Sequence, residues 1–259
     1  MERTRSLAFD RAVDYYDRTR SLSSETMARL VPLLTSELGS GPCIEIGVGT
    51  GRIALPMSEA GTAMIGLDLS AAMMHRLVRN AGGRLPFPLV TGDATRLPLA
   101  DDSVRGALAI HVLHLIPLWP LAANELIRVV RPGGTIVVDL GRATKGPFRE
   151  LLAEFSRAAG IPEQHRGVND PAELDRILGD AGAEAKAFEP IVEARFATYE
   201  KTIAALEAGT YSVTWSADEA TRSAAAQETR RWAARSVGDL DRRYDYRLEI
   251  ALRSYRLPA

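Results

Sequence analysis

Residues 43–51 read Cys43-Ile44-Glu45-Ile46-Gly47-Val48-Gly49-Thr50-Gly51, and the fold is decided here. A short run suited to a strand meets alternate glycines, and a helix is expected next, over roughly 52–60. That is the opening of a βα unit. Glycines let the backbone turn sharply and put no Cβ in the way of an approaching ligand. The dinucleotide fingerprint would need glycine at position 52, where this chain has Arg52. A phosphate-binding P-loop is also absent, because no Gly-Lys-Ser/Thr follows. Taken alone, the glycines are a weak signal, whose alternative reading is a tight βα turn.

Outward from this stretch the pattern repeats. Ala63 to Leu67 reads as a second strand ended by Asp68, with Ser70 placed to cap a helix over roughly 71–80. Pro86 to Thr91 reads as a third strand closed by Gly92-Asp93, and Val104 to Ile110 as a fourth. A helix over 121–130 and the turn Pro132-Gly133-Gly134 lead into a fifth strand, Thr135 to Leu140. Strands alternating with helices at this spacing predict right-handed βαβ crossovers and a parallel sheet. The strands are apolar on both faces, as a sheet covered by helices requires.

Upstream, residues 7–38 read as helical, with Leu7, Val13, Met27, Leu30, Leu33 and Leu34 at loosely helical spacing and an N-cap at Ser23-Ser24-Glu25. Downstream, a helix is expected from Pro171 to Leu178, an extended stretch over 183–197, helices over 198–208 and 217–236, and a closing strand over 244–257.

Composition narrows the class. The 259 residues fit one α/β domain with insertions, and 46% hydrophobic with 25% charged residues is ordinary globular composition. Lys and Arg number 32 against 33 Asp and Glu, so the basic excess of a nucleic-acid binder is missing. The single cysteine, Cys43, forms neither an intrachain disulfide nor a cysteine zinc site. Met1-Glu2-Arg3-Thr4-Arg5 leads into no apolar core, so no signal peptide is expected. The apolar stretch Ala107 to Leu118 is broken by His111, His114 and Pro117, and falls short of the ~20 residues of a membrane span. A cytoplasmic protein with no membrane span is expected.

Two carboxylates sharpen the glycine turn. Asp68 ends the second strand, where a carboxylate can accept hydrogen bonds from vicinal ribose hydroxyls. Asp93 ends the third, where it can accept from an exocyclic adenine amine. The competing readings are a neighbour of a helix N-cap for Asp68 and a loop residue for Asp93. Three successive strand ends nonetheless carry the groups that an adenosine needs.

Glu45-Ile-Gly-Val-Gly-Thr-Gly51, Leu67-Asp68-Leu69-Ser70, Gly92-Asp93-Ala94 with Leu97-Pro98-Leu99, and Leu126-Ile-Arg-Val-Val-Arg-Pro-Gly-Gly134 resemble the successive motifs of class I S-adenosylmethionine-dependent methyltransferases. The similarity runs over about residues 12–140 and is nearest to the small-molecule branch that includes the ubiquinone and menaquinone biosynthesis enzymes. It implies an α/β, Rossmann-like doubly wound sheet of seven strands in the order 3-2-1-4-5-7-6, the last antiparallel. It also implies S-adenosyl-L-methionine as cofactor and S-adenosyl-L-homocysteine as product. By the same resemblance, Glu45 orients the loop of Gly47, Gly49 and Gly51 near the methionine part of the cofactor. Asp68 binds ribose with Leu69 beside the adenine, Asp93 meets the adenine amine with Ala94 next to it, and Ile110 and His111 line the methionine end. Tyr15-Tyr16-Asp17-Arg18 resembles a segment that covers the cofactor's carboxylate, which makes Tyr16 and Arg20 candidates. Ser103-Val104-Arg105 departs from the branch's Ser-Phe-Asp, and the C-terminal third matches no substrate-specific pattern.

Methyl transfer asks mainly for alignment and exclusion of water. A base is needed only for a nucleophile that holds its proton tightly. His111 and His114 follow the fourth strand and are candidates for that base, the alternative being lining or packing. His75 and His165 have no constellation around them. No Asp/Asn-Pro-Pro-Tyr/Phe follows the fourth strand, so nucleic acid is not the expected substrate, and no His/Asp/Glu cluster has metal spacing. Trp119, Tyr211 and Trp215 are either core or the wall of an acceptor pocket.

The expected function is methyl transfer to a small, partly apolar molecule. The alternatives are a nicotinamide-dependent oxidoreductase, against which Arg52 and Asp93 argue, and a non-catalytic module that binds the cofactor. Residues 1–38 are expected to form an N-terminal helical cap. Residues 198–238 are expected to be a helical insertion, too long for a hairpin turn, that closes over the acceptor as a lid. A helical pair used for packing or for dimer contacts is the alternative.

Overall fold

The computed structural model describes residues 6–141, 146–163 and 166–259. A 3-10 turn at Asp10–Ala12 precedes α1 (Tyr16–Arg20), α2 (Ser24–Leu38), β1 (Pro42–Ile46), α3 (Ala54–Glu59), β2 (Ala63–Asp68), α4 (Ala71–Asn80), β3 (Leu89–Thr91) and β4 (Val104–Ile110). A second 3-10 turn, Leu113–Leu115, leads to α5 (Trp119–Val129), β5 (Val130–Asp139), α6 (Pro147–Ala159), α7 (Pro171–Asp180) and β6 (Glu184–Ala187). The chain then forms β7 (Ile191–Thr198), α8 (Tyr199–Glu207), a 3-10 turn at Ser212–Ser216, α9 (Glu219–Val237), β8 (Arg243–Ile250) and β9 (Arg253–Arg256). These elements divide into two units, one of Met1–Gly141, Arg166–Ile191 and Ile250–Ala259, the other of Arg142–His165 and Val192–Glu249.

The first unit is built on a seven-stranded sheet in the order β3-β2-β1-β4-β5-β9-β6. Strands β1 to β5 pair in parallel, and β9 runs antiparallel to both β5 and β6. With β9 as the seventh strand of this sheet, the order is the one the resemblance implies. Alternation along the strands serves two cores. Ile44, Ile46, Ala107, Ala109, Ile136 and Val138 share one cluster with Leu126 of α5 and Leu174 of α7. Cys43, Leu108, Ile110 and Val137 share the other with Leu30, Leu34 and Leu38 of α2, Met57 of α3 and Leu77 of α4. Helix starts follow side-chain caps: the Ser23 hydroxyl accepts from the Thr26 N–H, and that of Ser70 from the Met73 N–H.

Several boundaries differ from the sequence expectation. The third strand begins at Leu89 rather than Pro86, because prolines 86 and 88 bring no N–H to a ladder. The Pro88 carbonyl still accepts from Gly66 N–H at 2.9 Å. The expected single strands over 183–197 and 244–257 are each two strands. The first breaks around Pro190, and the second breaks where the Ala251 N–H turns to the Asp139 carboxylate, 3.3 Å away. Phe188 N–H donates to Leu252 O across the two breaks. Beyond them β7 and β8 form a separate two-stranded sheet.

The second unit holds the two helices expected over 198–238, now α8 and α9, together with α6, for which the sequence pattern offered no expectation. Its core joins Leu151 and Phe155 of α6, Ile203 and Leu206 of α8, Ala225, Ala226 and Ala233 of α9, and Tyr244 of β8. Alanines on the buried face of α9 let α6 and α8 pack closely against it. Inside this core the hydroxyls of Thr202 and Tyr244 share a 2.6 Å hydrogen bond, and burial pushes the Tyr244 phenol up to about 12.

A buried hydroxyl that loses its partner costs about 1–3 kcal/mol, whereas removing both partners is close to neutral. Tyr244→Phe is therefore expected to lower the urea-unfolding free energy by about 1–3 kcal/mol. The double variant Thr202→Val/Tyr244→Phe should recover most of that loss. Equal losses in the single and double variants would show that the pair does not hold this core.

Candidate active site

The site is assembled where β1, β2, β3 and β4 end. Past Ile46 the backbone enters left-handed conformations at Gly47 (φ +67°) and Gly49 (φ +54°), which side-chain-bearing residues rarely adopt. A Cβ at Gly47 would lie 2.5 Å from Val112 Cγ2, whereas one at Gly49 would meet Met73 Cε at 3.5 Å and Gly47 O at 3.9 Å, both ordinary contacts. Gly47 is thus a packing requirement, and Gly49 a bare strip of backbone.

Asp68 holds this loop in place. Its Oδ2 accepts from Gly49 N–H and its Oδ1 from Ser70 N–H, both at 2.8 Å. One carboxylate therefore ties the glycine turn of β1 to the start of α4. Burial pushes the Asp68 carboxyl above its ordinary range, against the pull of the two N–H groups. Glu45, one strand over, is 3% exposed. Burial raises its carboxyl to about 8, with the Arg52 charge and the Ala54 N–H opposing. Helix α3 has no side-chain cap at Ile53, and the Ala54 N–H of its first turn favours the ionised Glu45 carboxylate. Among the described residues, Glu45 Oε2 has no hydrogen-bond partner.

At the end of β3 the Asp93 Oδ1 accepts from both the N–H and the hydroxyl of Thr95, each at 2.9 Å, and Ala94 beside it is buried. Leu69, after β2, is half-buried. The Leu97-Pro98-Leu99 and Leu126-to-Gly134 motifs prove to be one assembly. Glu125 accepts from Leu97 N–H at 2.6 Å, while Arg128 donates to the Leu97 and Leu99 carbonyls. This clamp fixes the loop that carries Asp93.

At the ends of β4 and β5, Ile110 is buried and His111 adopts φ +57°, one of two non-glycine residues described with positive φ. His111 Nε2 lies 2.6 Å from Oδ2 of Asp139, which is 1% exposed, and Nδ1 lies 3.3 Å from Arg52 Nη2. Burial opposes ionisation of Asp139, but His111 and the N–H groups of Gly141 and Ala251 outweigh it and hold the carboxyl below its ordinary range. Sequence reasoning had noticed Arg52 only as a missing glycine and had passed over Asp139. The signal for Asp139 was present, since it ends a strand as Asp68 and Asp93 do. His114 lies in the 3-10 turn, where its carbonyl accepts from Gly167 N–H at 2.8 Å.

The N-terminal segment meets the loop through other atoms than those expected. The Tyr16 ring packs edge-on against Phe9, at 6.1 Å between centroids. Arg20 contributes its carbonyl, which accepts from Arg52 Nη1 at 2.9 Å. The contacting side chain is Asp17: Thr50 in the loop donates to it at 2.6 Å, and Arg76 and Asn80 of α4 at 3.0 and 3.2 Å. Asp10 accepts from the Ser70 hydroxyl at 2.6 Å.

Of the acceptor candidates, Trp119 is buried in the apolar core at the start of α5, the packing alternative. Tyr211 and Trp215 belong to the second unit. Tyr211 packs edge-on against Phe148 at 5.3 Å, and Trp215 Nε1 donates to Gly209 O at 2.7 Å. His75 is exposed on α4, and His165 lies outside the described residues.

Among the described residues no helix is long and apolar enough to cross a membrane, and no three His, Cys, Asp or Glu residues are grouped to hold a metal ion. Residues 44–138 match the methyltransferase domain family. An uncharacterized protein of Mycobacterium tuberculosis is 34% identical over 67% of this chain, and the chain spans 66% of that relative's length. Demethylmenaquinone methyltransferase of Renibacterium salmoninarum is 30% identical over 63% of this chain and 70% of its own. The solved YcgJ protein of Bacillus subtilis, at 16% identity, shares the fold over 92% of this chain and all of its own, with a TM-score of 0.63. The motifs at the strand ends, the sheet order and these relatives agree, and the chain belongs to the class I S-adenosylmethionine-dependent methyltransferases.

Proposed function

We propose that this chain methylates a small, partly apolar acceptor, with the cofactor lying along the carboxyl ends of β1, β2 and β3. The observation that carries the placement is the row of acceptors at those ends. Glu45 Oε2 is buried and unpartnered, Asp68 keeps lone pairs beyond its two N–H bonds, and Asp93 is held through one oxygen only. The row suits an ammonium, a ribose and an adenine amine in turn, and the bare backbone at Gly49 lets a ligand lie close. S-adenosylmethionine supplies a methyl carbon on a sulfonium that is already a good leaving group.

The chain's own part is orientation. Glu45 stands where a buried carboxylate meets a cation, Asp68 sets both the loop and the ribose end, and Ile110 with His111 bounds the methionine end. Charge composition and the menaquinone-type relative support a small-molecule acceptor. We place the enzyme in the reducing cytoplasm on its single buried thiol, Cys43. Transfer of a labelled methyl group to a panel of quinol, phenol and amine acceptors tests the reaction. Turnover only on nucleic acid would overturn it.

Asp68→Ala is expected to weaken S-adenosylmethionine binding at least about tenfold, since each bond to a charged acceptor is worth ~1.5–3 kcal/mol. Asp68→Asn, which keeps one acceptor oxygen, should lose less. Parent-like affinity in a folded Asp68→Ala protein, measured by calorimetry, would move the cofactor elsewhere.

Glu45 gives a pH signature. With its carboxyl raised to about 8 it is protonated at neutral pH, and a bound ammonium lowers that value. Cofactor binding near pH 7 should therefore release a proton, seen as a dependence of the binding heat on buffer ionisation enthalpy and abolished by Glu45→Gln. The raised value also means that the folded state binds the extra proton. Glu45 therefore contributes stability below the ordinary carboxylate range that is lost as pH rises toward about 8, and Glu45→Gln should flatten that slope.

A further inference from the structure

We propose that Asp139 and His111 are positioning residues that act through Arg52 to clasp the N-terminal segment against the glycine loop, and that cofactor retention depends on this clasp. The proposal rests on the placement of the cofactor at that loop. Four segments far apart in sequence meet in one chain of polar contacts: Asp139 at the end of β5, His111 after β4, Arg52 after the glycine loop, and the Arg20 carbonyl at the end of α1. Each link has a single chemical sense. A guanidinium has no acceptor, so His111 Nδ1 accepts from Arg52 Nη2, which leaves Nε2 to face Asp139 Oδ2 at 2.6 Å, a close polar contact whose alignment falls short of a hydrogen bond. Asp139 is an acceptor fixed from several sides, with Gly141 N–H at 3.0 Å and Ala251 N–H at 3.3 Å on its other oxygen.

The backbone agrees. His111 holds φ +57°, a costly conformation for a residue with a Cβ, and its own N–H donates to Asp139 O at 2.8 Å. A histidine that only lined the site would need neither the strained backbone nor a carboxylate that is 1% exposed. The arrangement also bears on the candidate base. With Nδ1 accepting from Arg52, that nitrogen is open to a substrate proton only when Arg52 is released. The far end of the chain is a closure. Arg52 Nη1 holds the Arg20 carbonyl, while Asp17 grips Thr50, Arg76 and Asn80 and Asp10 grips Ser70, so the segment is fastened to the loop and to α4 at separate points.

The test uses Asp139→Asn, His111→Asn, Arg52→Gln and the double variant Asp139→Asn/Arg52→Gln in the full chain. Asparagine tolerates positive φ, so His111→Asn removes the relay and keeps the backbone. Two readouts are taken: the dissociation constant for S-adenosylhomocysteine, and the rate of tryptic cleavage at Arg18, exposed on α1, without ligand. Each single variant should bind about tenfold more weakly and be cut about tenfold faster, and the double variant should be no worse than Arg52→Gln. Arg52→Lys, which folds with the charge kept but cannot reach both partners, should behave like Arg52→Gln. Losses that multiply in the double variant, parent-like behaviour of Arg52→Lys, or unchanged cleavage at Arg18 in folded variants would each overturn the clasp. Cleavage needs no ligand, so it still reports on the clasp if the Asp68 variants show that the cofactor binds elsewhere.

Discussion

A single carboxylate organises the site. Asp68 accepts from Gly49 and Ser70, joining the loop after β1 to the first turn of α4. Without that acceptor, two backbone N–H groups at the base of the site would have no protein partner, and a glycine-rich loop has little stiffness of its own. The order of the loop therefore depends on one side chain that accepts on both sides.

Around this centre the chain spends stability on charge. Glu45 and Asp139 are almost wholly buried, and burial disfavours the ionised form of both, with opposite outcomes. His111 and the N–H groups of Gly141 and Ala251 hold the Asp139 carboxyl below its ordinary range, whereas burial pushes that of Glu45 up to about 8. A buried acid left incomplete beside a bare strip of backbone is how a protein reserves a place for a cationic group.

The second unit shows a different economy. Its core is made of aromatic rings and the small-residue face of α9, and it draws on α6, which precedes α7 in the chain, as well as on α8, α9 and β8. Strands β7 and β8 form a two-stranded sheet of their own. Some long polar side chains of this unit pair at its surface, as Arg230 does with Glu200 and Glu207. Such pairs add little stability and leave the choice of neighbours to the apolar faces.

Much of this was legible in the sequence, for local reasons. Strand runs, the positive-φ glycines and the capping serines depend on neighbouring residues, so Cys43–Gly51, Asp68, Ser70 and Asp93 could be placed without coordinates. The resemblance carried the cofactor. The remainder is non-local. Nothing near Asp139 reveals that His111 will face it, because the two meet only when β4 and β5 pair in register, Ile110 opposite Asp139. Arg52 looked like a defect in a glycine pattern until the Arg20 carbonyl and the His111 ring were brought to its two ends. Likewise, one extended run at 183–197 and one at 244–257 became four strands, because partners far away in the chain decide where a ladder ends. The amino-acid order determined which groups stand at the strand ends, since a strand and its turn are local. Only tertiary structure decided which of them touch, since that depends on register between strands and on segments more than thirty residues apart closing onto the same loop.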